Sequence, residues 1–513
     1  MTRLHAFASV LTPRLAPLAL CALLAGCAVG PDYQRPAIDV GTGFKEGEGV
    51  VPGWKPAQPA DQADRGQWWR VYGDATLDGL MADLAASNQS IVQAEANFRQ
   101  AQALVGTARA NFFPIVGANA GATRSGSGAG SQSTSVGSNV ANQYSLSGSV
   151  SWELDVWGRI RREVEASRAT AAASGADLAA TRLSAQSALV QNYLQLRILD
   201  EQKRLLDATV AAYERSLQLT RNRYEAGVVG KADVAVAETQ LENTRAQSID
   251  LDWQRGQFEH AIAVLVGLAP SRFALPPAPF TQQLPEIPVA LPATLLERRP
   301  DVAAAERRAA AANAQIGVAV SAWFPELTLS ASGGFRSGQF ADLLTAPARF
   351  WSLGPALAMT IFDGGARESQ IAAARAGYDA QAAAYRQSVL VALREVEDYL
   401  VQLRVMAQEQ EVQRRALTSA RESLRLTRNQ YEAGLVDYLS VAVVEATALN
   451  AERNALSLLG NRLNASVQLI AALGGGWEGL PEADRSPLPT QPAPPVGAGA
   501  PTPPTPTPAA APR

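Results

Sequence analysis

The chain has 513 residues, 47% hydrophobic and 18% charged, ample for a large core and too balanced for a disordered protein. A formal net charge of −3 leaves no basic excess to displace counterions from a phosphate backbone, which argues against a nucleic-acid partner. Both cysteines, Cys21 and Cys27, lie in the first 27 residues, so the remainder can build neither a disulfide framework nor a thiolate metal site.

Residues 1–26 carry Arg3 and Arg14, then "LAPLALCALLAG", an apolar run too short to span a bilayer that reads as a secretory signal. The closing "LLAGC" resembles the lipobox of bacterial lipoproteins, in which cleavage before Cys27 is followed by acylation of its sulfur and new amino group. Acyl chains contribute about 0.8 kcal/mol per buried CH₂, so a multiply acylated Cys27 would hold the amino terminus at a membrane surface. Ala28, in place of aspartate, resembles the outer-membrane sorting pattern of that class. Residues 27–73 have loop chemistry and suit an extended path from the anchor to the first helix.

No later window approaches the run of apolar residues a transmembrane helix needs, so any membrane crossing must use strands. A first repeat is expected over residues 74–270: a helix at about 77–111, a β-hairpin at about 113–156, a long helix over 159–226 and a return helix over 231–266. The long helix has no proline and only one glycine, Gly175. After a linker, 271–300, a second repeat is expected over 301–473: a helix at 301–322, a hairpin at about 324–362, a long helix over 366–433 and a return helix over 436–473. Residues 474–513 are rich in Pro, Ala and Thr and read as an extended, disordered tail.

The duplication is plainest where "LQLTRNRYEAGVV" from Leu217 recurs as "LRLTRNQYEAGLV" from Leu424, which sets Tyr224 and Tyr431 at 431 − 224 = 207 positions apart. That spacing is a domain-sized unit rather than a short solenoid repeat. Each long helix should stop at the glycine of the motif, Gly227 or Gly434, where a residue without Cβ takes a left-handed cap most easily.

The hairpins have another character. "YSLSGSVSWELD" puts Tyr144, Leu146, Val150, Trp152 and Leu154 on one face and serines with Glu153 on the other, the period of a strand with one apolar side. "RSGSGAGSQSTSVGSNVANQ" from Arg124 reads as a flexible exposed loop. Phe113, Trp152, Trp157, Trp323 and Phe362 fall toward the helix-side ends, and Tyr144, Phe335, Phe350 and Trp351 toward the loop-side ends, as two membrane interfaces would select. Four strands cannot close a barrel, and an open edge in lipid leaves backbone groups unpaired, so the chain must oligomerise. Two, three or four copies would give eight, twelve or sixteen strands, and periodicity does not choose among them.

"CAVGPDYQRP", "WWRVYGDATLDGLMADLAASN", the "FFP" and "WFP" junctions, "SWELDVWGR", "LLERRPDVAAAE" and "LIAALGGGW", in this order and with the duplication, resemble the outer membrane factor family of lipoprotein efflux channels. The resemblance covers nearly everything from Cys27 to Trp477. It implies a mixed α and β membrane protein in which four strands per chain contribute to a homotrimeric twelve-stranded barrel in outer-membrane lipid, continued by a long periplasmic α-helical barrel. It also implies a periplasmic adaptor (membrane fusion) protein and an inner-membrane pump of the resistance-nodulation-division type as partners, with no cofactor.

In that architecture both motifs lie at the tips farthest from the outer membrane. Beyond capping and leucine packing, Arg221, Asn222, Tyr224, Glu225 and Gly227, with Asn429, Glu432 and Gly434, are candidates for adaptor contact. Asp233, Asp437, Glu445, Val443, Tyr431 and Arg428 are candidates for a gate, since the family uses inward acidic rings near the tip. Where relatives carry an aspartate this chain has Val443, and the acid at Glu445 either replaces it or lies on an ordinary solvated helix face.

Enzymatic chemistry finds little support: the mature chain keeps one histidine, His260, and no Gly-rich phosphate loop or metal-ligand spacing. The reading is an efflux exit duct gated at its tip. The alternatives are a type I protein secretion channel or a non-conducting structural envelope lipoprotein.

Overall fold

The computed structural model describes residues 28–38, 45, 67–126, 140–280, 284–285 and 299–475. The signal segment, Cys27, the tip of the first hairpin, most of the 271–300 linker and the tail after residue 475 lie outside the described residues.

In chain order the elements are α1 (Ala75–Ser87), α2 (Gln89–Ala110), β1 (Ile115–Gly126), β2 (Val140–Glu153), α3 (Arg159–Glu225), α4 (Lys231–Leu265), α5 (Pro300–Ser321), β3 (Glu326–Ser337), β4 (Arg349–Ala358), α6 (Ala366–Glu432) and α7 (Tyr438–Ala472). The two long helices, α3 and α6, each run 67 residues without interruption, and the two return helices, α4 and α7, each run 35. At 1.5 Å per residue α3 and α6 are each about 100 Å long. No helix among the described residues is long and apolar enough to cross a membrane.

Three sequence expectations need correction. The segment expected to run extended over residues 27–73 ends in a 3-10 turn, Trp68–Tyr72, which curls the chain so that the Trp68 and Tyr72 rings are buried in the core. The helix expected at about 77–111 is two helices that meet at Asn88, which ends α1 and caps α2. The Asn88 side chain is buried, accepts from the Ile91 N–H at 3.1 Å and donates to the Leu265 carbonyl at 2.7 Å. Satisfying a backbone group on α4 as well as its own cap makes the break worth more than a continuous turn. The loop expected from Arg124 starts later: Arg124, Ser125 and Gly126 pair with Asn142, Ala141 and Val140 in register. Ser/Gly/Asn composition signals weak strand propensity, but the ladder is made by backbone groups and continues while each strand has a partner.

The four strands form one antiparallel sheet in the order β1-β2-β3-β4. Register places Tyr144, Leu146, Val150 and Trp152 opposite Ala122, Ala120, Val116 and their β3 partners, with Trp351, Leu353 and Leu357 of β4 on the same face. The other face carries Ser145, Ser147, Ser149 and Ser151 with Ser330, Ser332 and Ser352, the last two joined by a 2.8 Å hydrogen bond. Among the described residues β1 and β4 each have a single strand neighbour, so both edges are open.

Where strands turn into helices the junctions are stapled by tryptophan. Trp152 Nε1 donates to the Phe112 carbonyl at 2.9 Å, and Trp157 Nε1 donates to the Pro325 carbonyl at 2.8 Å while its ring stacks on Phe324. The amino-terminal strap lies beside them. Val29 N–H donates to the Trp157 carbonyl, and the buried Arg162 side chain donates to the carbonyls of Val29 and Gly30 and to Asp32. Gly30 and Gly317 approach so closely that a Cβ on Gly30 would overlap the Gly317 backbone. Ala28 is thereby set against Gly158 at the helix-side end of the sheet.

The largest apolar cluster sits between α1, the middle of α3 and the end of α7, where Trp68, Tyr72, Leu77, Leu189, Tyr193, Ile262, Leu463 and Val467 are buried together. A second cluster, Tyr213, Leu217, Leu241, Tyr431, Tyr438 and Val441, closes the far end, where α3 turns into α4 and α6 into α7.

Candidate functional site

Both far-end turns are built the same way. Gly227 and Gly434 adopt φ of +73° and +75°, a region open to glycine at little cost. In the first turn Val228 N–H reaches back to the Arg223 carbonyl and Gly227 N–H to that of Tyr224; in the second, Leu435 bonds Gln430 and Gly434 bonds Tyr431. These paired bonds satisfy the last carbonyls of each long helix, which is why α3 ends at Glu225 and α6 at Glu432.

The candidate gate acids Asp233 and Asp437 begin the return helices. Asp437 is the N-cap of α7 and accepts from the Ser440 N–H at 3.0 Å and its hydroxyl at 2.7 Å. Those bonds from Ser440 hold its carboxyl below the ordinary range. In the first repeat the order is reversed: Gly230 stands at the N-cap, and Asp233, three residues on, accepts its N–H at 3.1 Å. Each acid therefore terminates a helix locally and favours its positive end.

Between the two hairpins the contact is aromatic and cationic. Arg223 of α3 donates to the carbonyls of Tyr431 at 3.1 Å and Glu432 at 3.3 Å, with its guanidinium 4.4 Å from the Tyr431 ring centroid. Tyr431 is buried, meets Tyr438 edge-on at 5.7 Å between ring centroids, and shares a 3.4 Å hydrogen bond with Thr220. Burial pushes the Tyr438 hydroxyl up from its ordinary value, and raises that of Tyr213 to about 12. The repeat-one counterpart, Tyr224, is exposed.

Glu445 is not on a solvated face. It is only 3% exposed, with one oxygen held by Arg428 at 2.7 Å and the other without a hydrogen-bond partner. The shift of two residues from Val443 is less than a helical turn and carries the acid from the open side of α7 to the side that packs on α6. Val443 itself is 58% exposed.

The adaptor candidates are placed as follows. Arg221 pairs with Glu238 at 2.6 Å; Asn222 accepts from Gln218 at 2.9 Å; Glu225 and Asn429 are exposed; Glu432 contributes its carbonyl to Arg223. Three residues of the site escaped the sequence reading: Arg223, Glu238 and Tyr438. Arg223 could have been found as the one position inside "LTRN(R/Q)YEAG" where the copies differ, Gln430 standing opposite it.

At the sheet, Trp351 and Phe362 are 82% and 88% exposed, and Phe113 is exposed as well. Tyr144 packs edge-on against Phe340, and Trp323 lies under the Arg367 guanidinium at 4.6 Å. The girdle residues thus divide between open apolar surface and junction contacts.

The family model described as outer membrane efflux protein matches residues 80–268 and 291–475. The chain is 31% identical over 478 residues to a toluene efflux pump outer membrane protein, TtgC, of Pseudomonas putida, covering 91% of this chain and 96% of the relative. It is 30% identical over 467 residues to outer membrane protein OprJ of Pseudomonas aeruginosa, covering 90% and 95% respectively. Among solved structures, the outer-membrane channel OprN superposes with a TM-score of 0.80 at 31% identity, covering 88% of this chain and all of that one. The outer membrane protein VceC of Vibrio cholerae superposes with a TM-score of 0.74 at 27% identity, covering 80% of this chain and 99% of that one.

Proposed function

The chain belongs to the outer membrane efflux protein family and is an outer-membrane component of an efflux system; on that premise we propose that three copies form a passive exit duct gated at its helical tip. The observation that carries this reading is the sheet, with one apolar face, one serine-lined face and two open edges. Three such sheets joined edge to edge give a closed twelve-stranded barrel, apolar outside and polar inside, with no backbone group unpaired in lipid. The two helical hairpins, each longer than a bilayer is thick, continue the wall on the periplasmic side.

A duct of this kind performs no bond chemistry. A periplasmic adaptor docks on the helical tips, an inner-membrane pump of the resistance-nodulation-division type supplies solute and energy, and Cys27 carries the lipid anchor. The position of Ala28 beside Gly158, at the helix-side end of the sheet, suits that anchor. TtgC is named for toluene efflux; small toxic solutes of that kind are the cargo this reading assigns to the present chain.

Planar-bilayer recording on the purified, acylated protein, with its mass measured under native conditions, tests the proposal. A trimer with discrete small openings is the expected result. A folded trimer that never conducts removes the duct reading and leaves a structural lipoprotein as the better account.

A further inference from the structure

Directly opposed residues in an antiparallel sheet share a face, so the register defines the full apolar face strand by strand. It comprises Val116 to Gly126 at even numbers on β1, Val140 to Trp152 at even numbers on β2, Leu327 to Ser337 at odd numbers on β3, and Arg349 to Leu357 at odd numbers on β4. Within those strands this face carries two charged side chains, Arg124 and Arg349. Both are exposed, and neither forms an ion pair with a described residue. Arg336, by contrast, points to the serine-lined face, where its guanidinium lies 4.9 Å from the Phe350 ring centroid.

Both arginines sit at the loop-side end of their strands: Arg349 is the first residue of β4, and Arg124 is two residues from the end of β1. The helix-side ends of the same face carry no charge within the strands. A lipid-facing arginine is tolerated only near an interface, where it can reach headgroups. The asymmetry therefore selects one leaflet, the outer one, whose glycolipids bear phosphorylated sugars. The edges add a second element. β1 and β4 are the two open strands, so closing the barrel lays β4 of one copy beside β1 of the next and brings Arg349 and Arg124 of the next copy to one seam.

We propose that Arg124 and Arg349 together form a lipid-phosphate site on the outside of the barrel at each subunit seam, taking the phosphorylated sugar headgroup of an outer-leaflet glycolipid. The proposal rests on the closed trimeric barrel proposed above. Two planar guanidinium forks from neighbouring copies match the several acceptor oxygens of a sugar phosphate, and Trp351, two residues from Arg349 on the same face, lies against the acyl chains below.

The test uses the purified protein in detergent, native mass spectrometry and one probe in two forms: a bis-phosphorylated glucosamine glycolipid and the same lipid after enzymatic dephosphorylation. Wild type should retain the phosphorylated form, and the Arg124→Gln, Arg349→Gln double variant should retain it about ten-fold less. Arg336→Gln, on the opposite face, should match wild type, and the dephosphorylated lipid should be held weakly and equally by all three proteins. A trimer that keeps the phosphorylated lipid despite the double substitution overturns the arginine site. So does an equal loss of both lipid forms, which would mean apolar contact alone. A protein that is monomeric in the same spectra overturns the trimeric barrel instead, and the seam with it.

Discussion

Arg428 and Glu445 lie 2.7 Å apart in the second repeat, and Arg221 and Glu238, each 428 − 221 = 445 − 238 = 207 residues earlier, lie 2.6 Å apart in the first. The duplicated pair differs in its surroundings: both side chains of the first are 48% exposed, whereas the Glu445 side chain is 2% exposed. An exposed pair is worth at most about 1 kcal/mol, so Arg221→Ala should leave stability nearly unchanged. Arg428→Ala strands a buried carboxylate; because Arg428 is itself half-exposed, a loss of roughly 2–3 kcal/mol is expected, below that of a fully buried pair. Thermal unfolding of the two variants side by side checks the contrast. Equal effects would mean that the tip relaxes enough to let water reach Glu445.

The same site predicts a pH dependence. Burial pushes the Glu445 carboxyl above its ordinary value of 4.5 in spite of Arg428, and the other titratable groups that face it are Tyr213 and Tyr438, neutral throughout this range. The folded state therefore holds the proton to higher pH than the unfolded state does. Stability from this group is present below the unfolded value and is lost as pH rises from there through the raised folded value. Glu445→Gln, which cannot titrate, should remove the slope, so the melting-temperature difference between wild type and variant should drift across mildly acidic pH and become flat above it. A difference independent of pH would show that the carboxyl titrates normally.

Arg223 makes a prediction about direction of opening. It joins the two hairpins of one chain through the Tyr431 and Glu432 carbonyls and the Tyr431 ring. In a ring of alternating repeats, the seam between chains would instead set Gln430 toward Tyr224, without a guanidinium. Seams within chains should thus be tighter than seams between them. Arg223→Gln should weaken the former by about 1–2 kcal/mol, from charge-assisted hydrogen bonds and a cation–π contact at a half-buried site, and enlarge single-channel conductance. Gln430→Arg should reduce it. If Gln430→Arg leaves conductance untouched, the between-chain seam does not form part of the constriction.

The long helices and their glycine stops were legible because composition, proline content and the αL requirement at Gly227 and Gly434 all act locally. The break at Asn88 was not, since its cause is partly a carbonyl on α4, 177 residues away. The strand extension through Arg124–Gly126 was hidden for a similar reason: its partners are backbone groups across the hairpin. At the tip the sequence pointed to acids by type, which found Glu445 but could not say which side of α7 it faces. Arg223 and Tyr438 join two repeats through space, and no periodicity within either repeat encodes that contact.

Asp437 separates a cap from a charge. As the N-cap of α7 it needs only an acceptor oxygen for Ser440, which asparagine also offers, whereas a gate built on like-charge repulsion or cation binding needs the negative charge. Asp437→Asn should therefore preserve the start of α7, and Asp437→Ala should fray it, seen as faster amide exchange at Tyr438 to Val441. Single-channel recording on the same two proteins then assigns the role. If only the alanine variant conducts more, the acid acts by holding the helix end in place. If both variants open equally, it is the charge and not the cap that acts on the constriction. Asp233→Asn gives the parallel comparison in the first repeat, where the carboxylate supports Gly230 from three residues inside the helix and the amide can accept the same N–H.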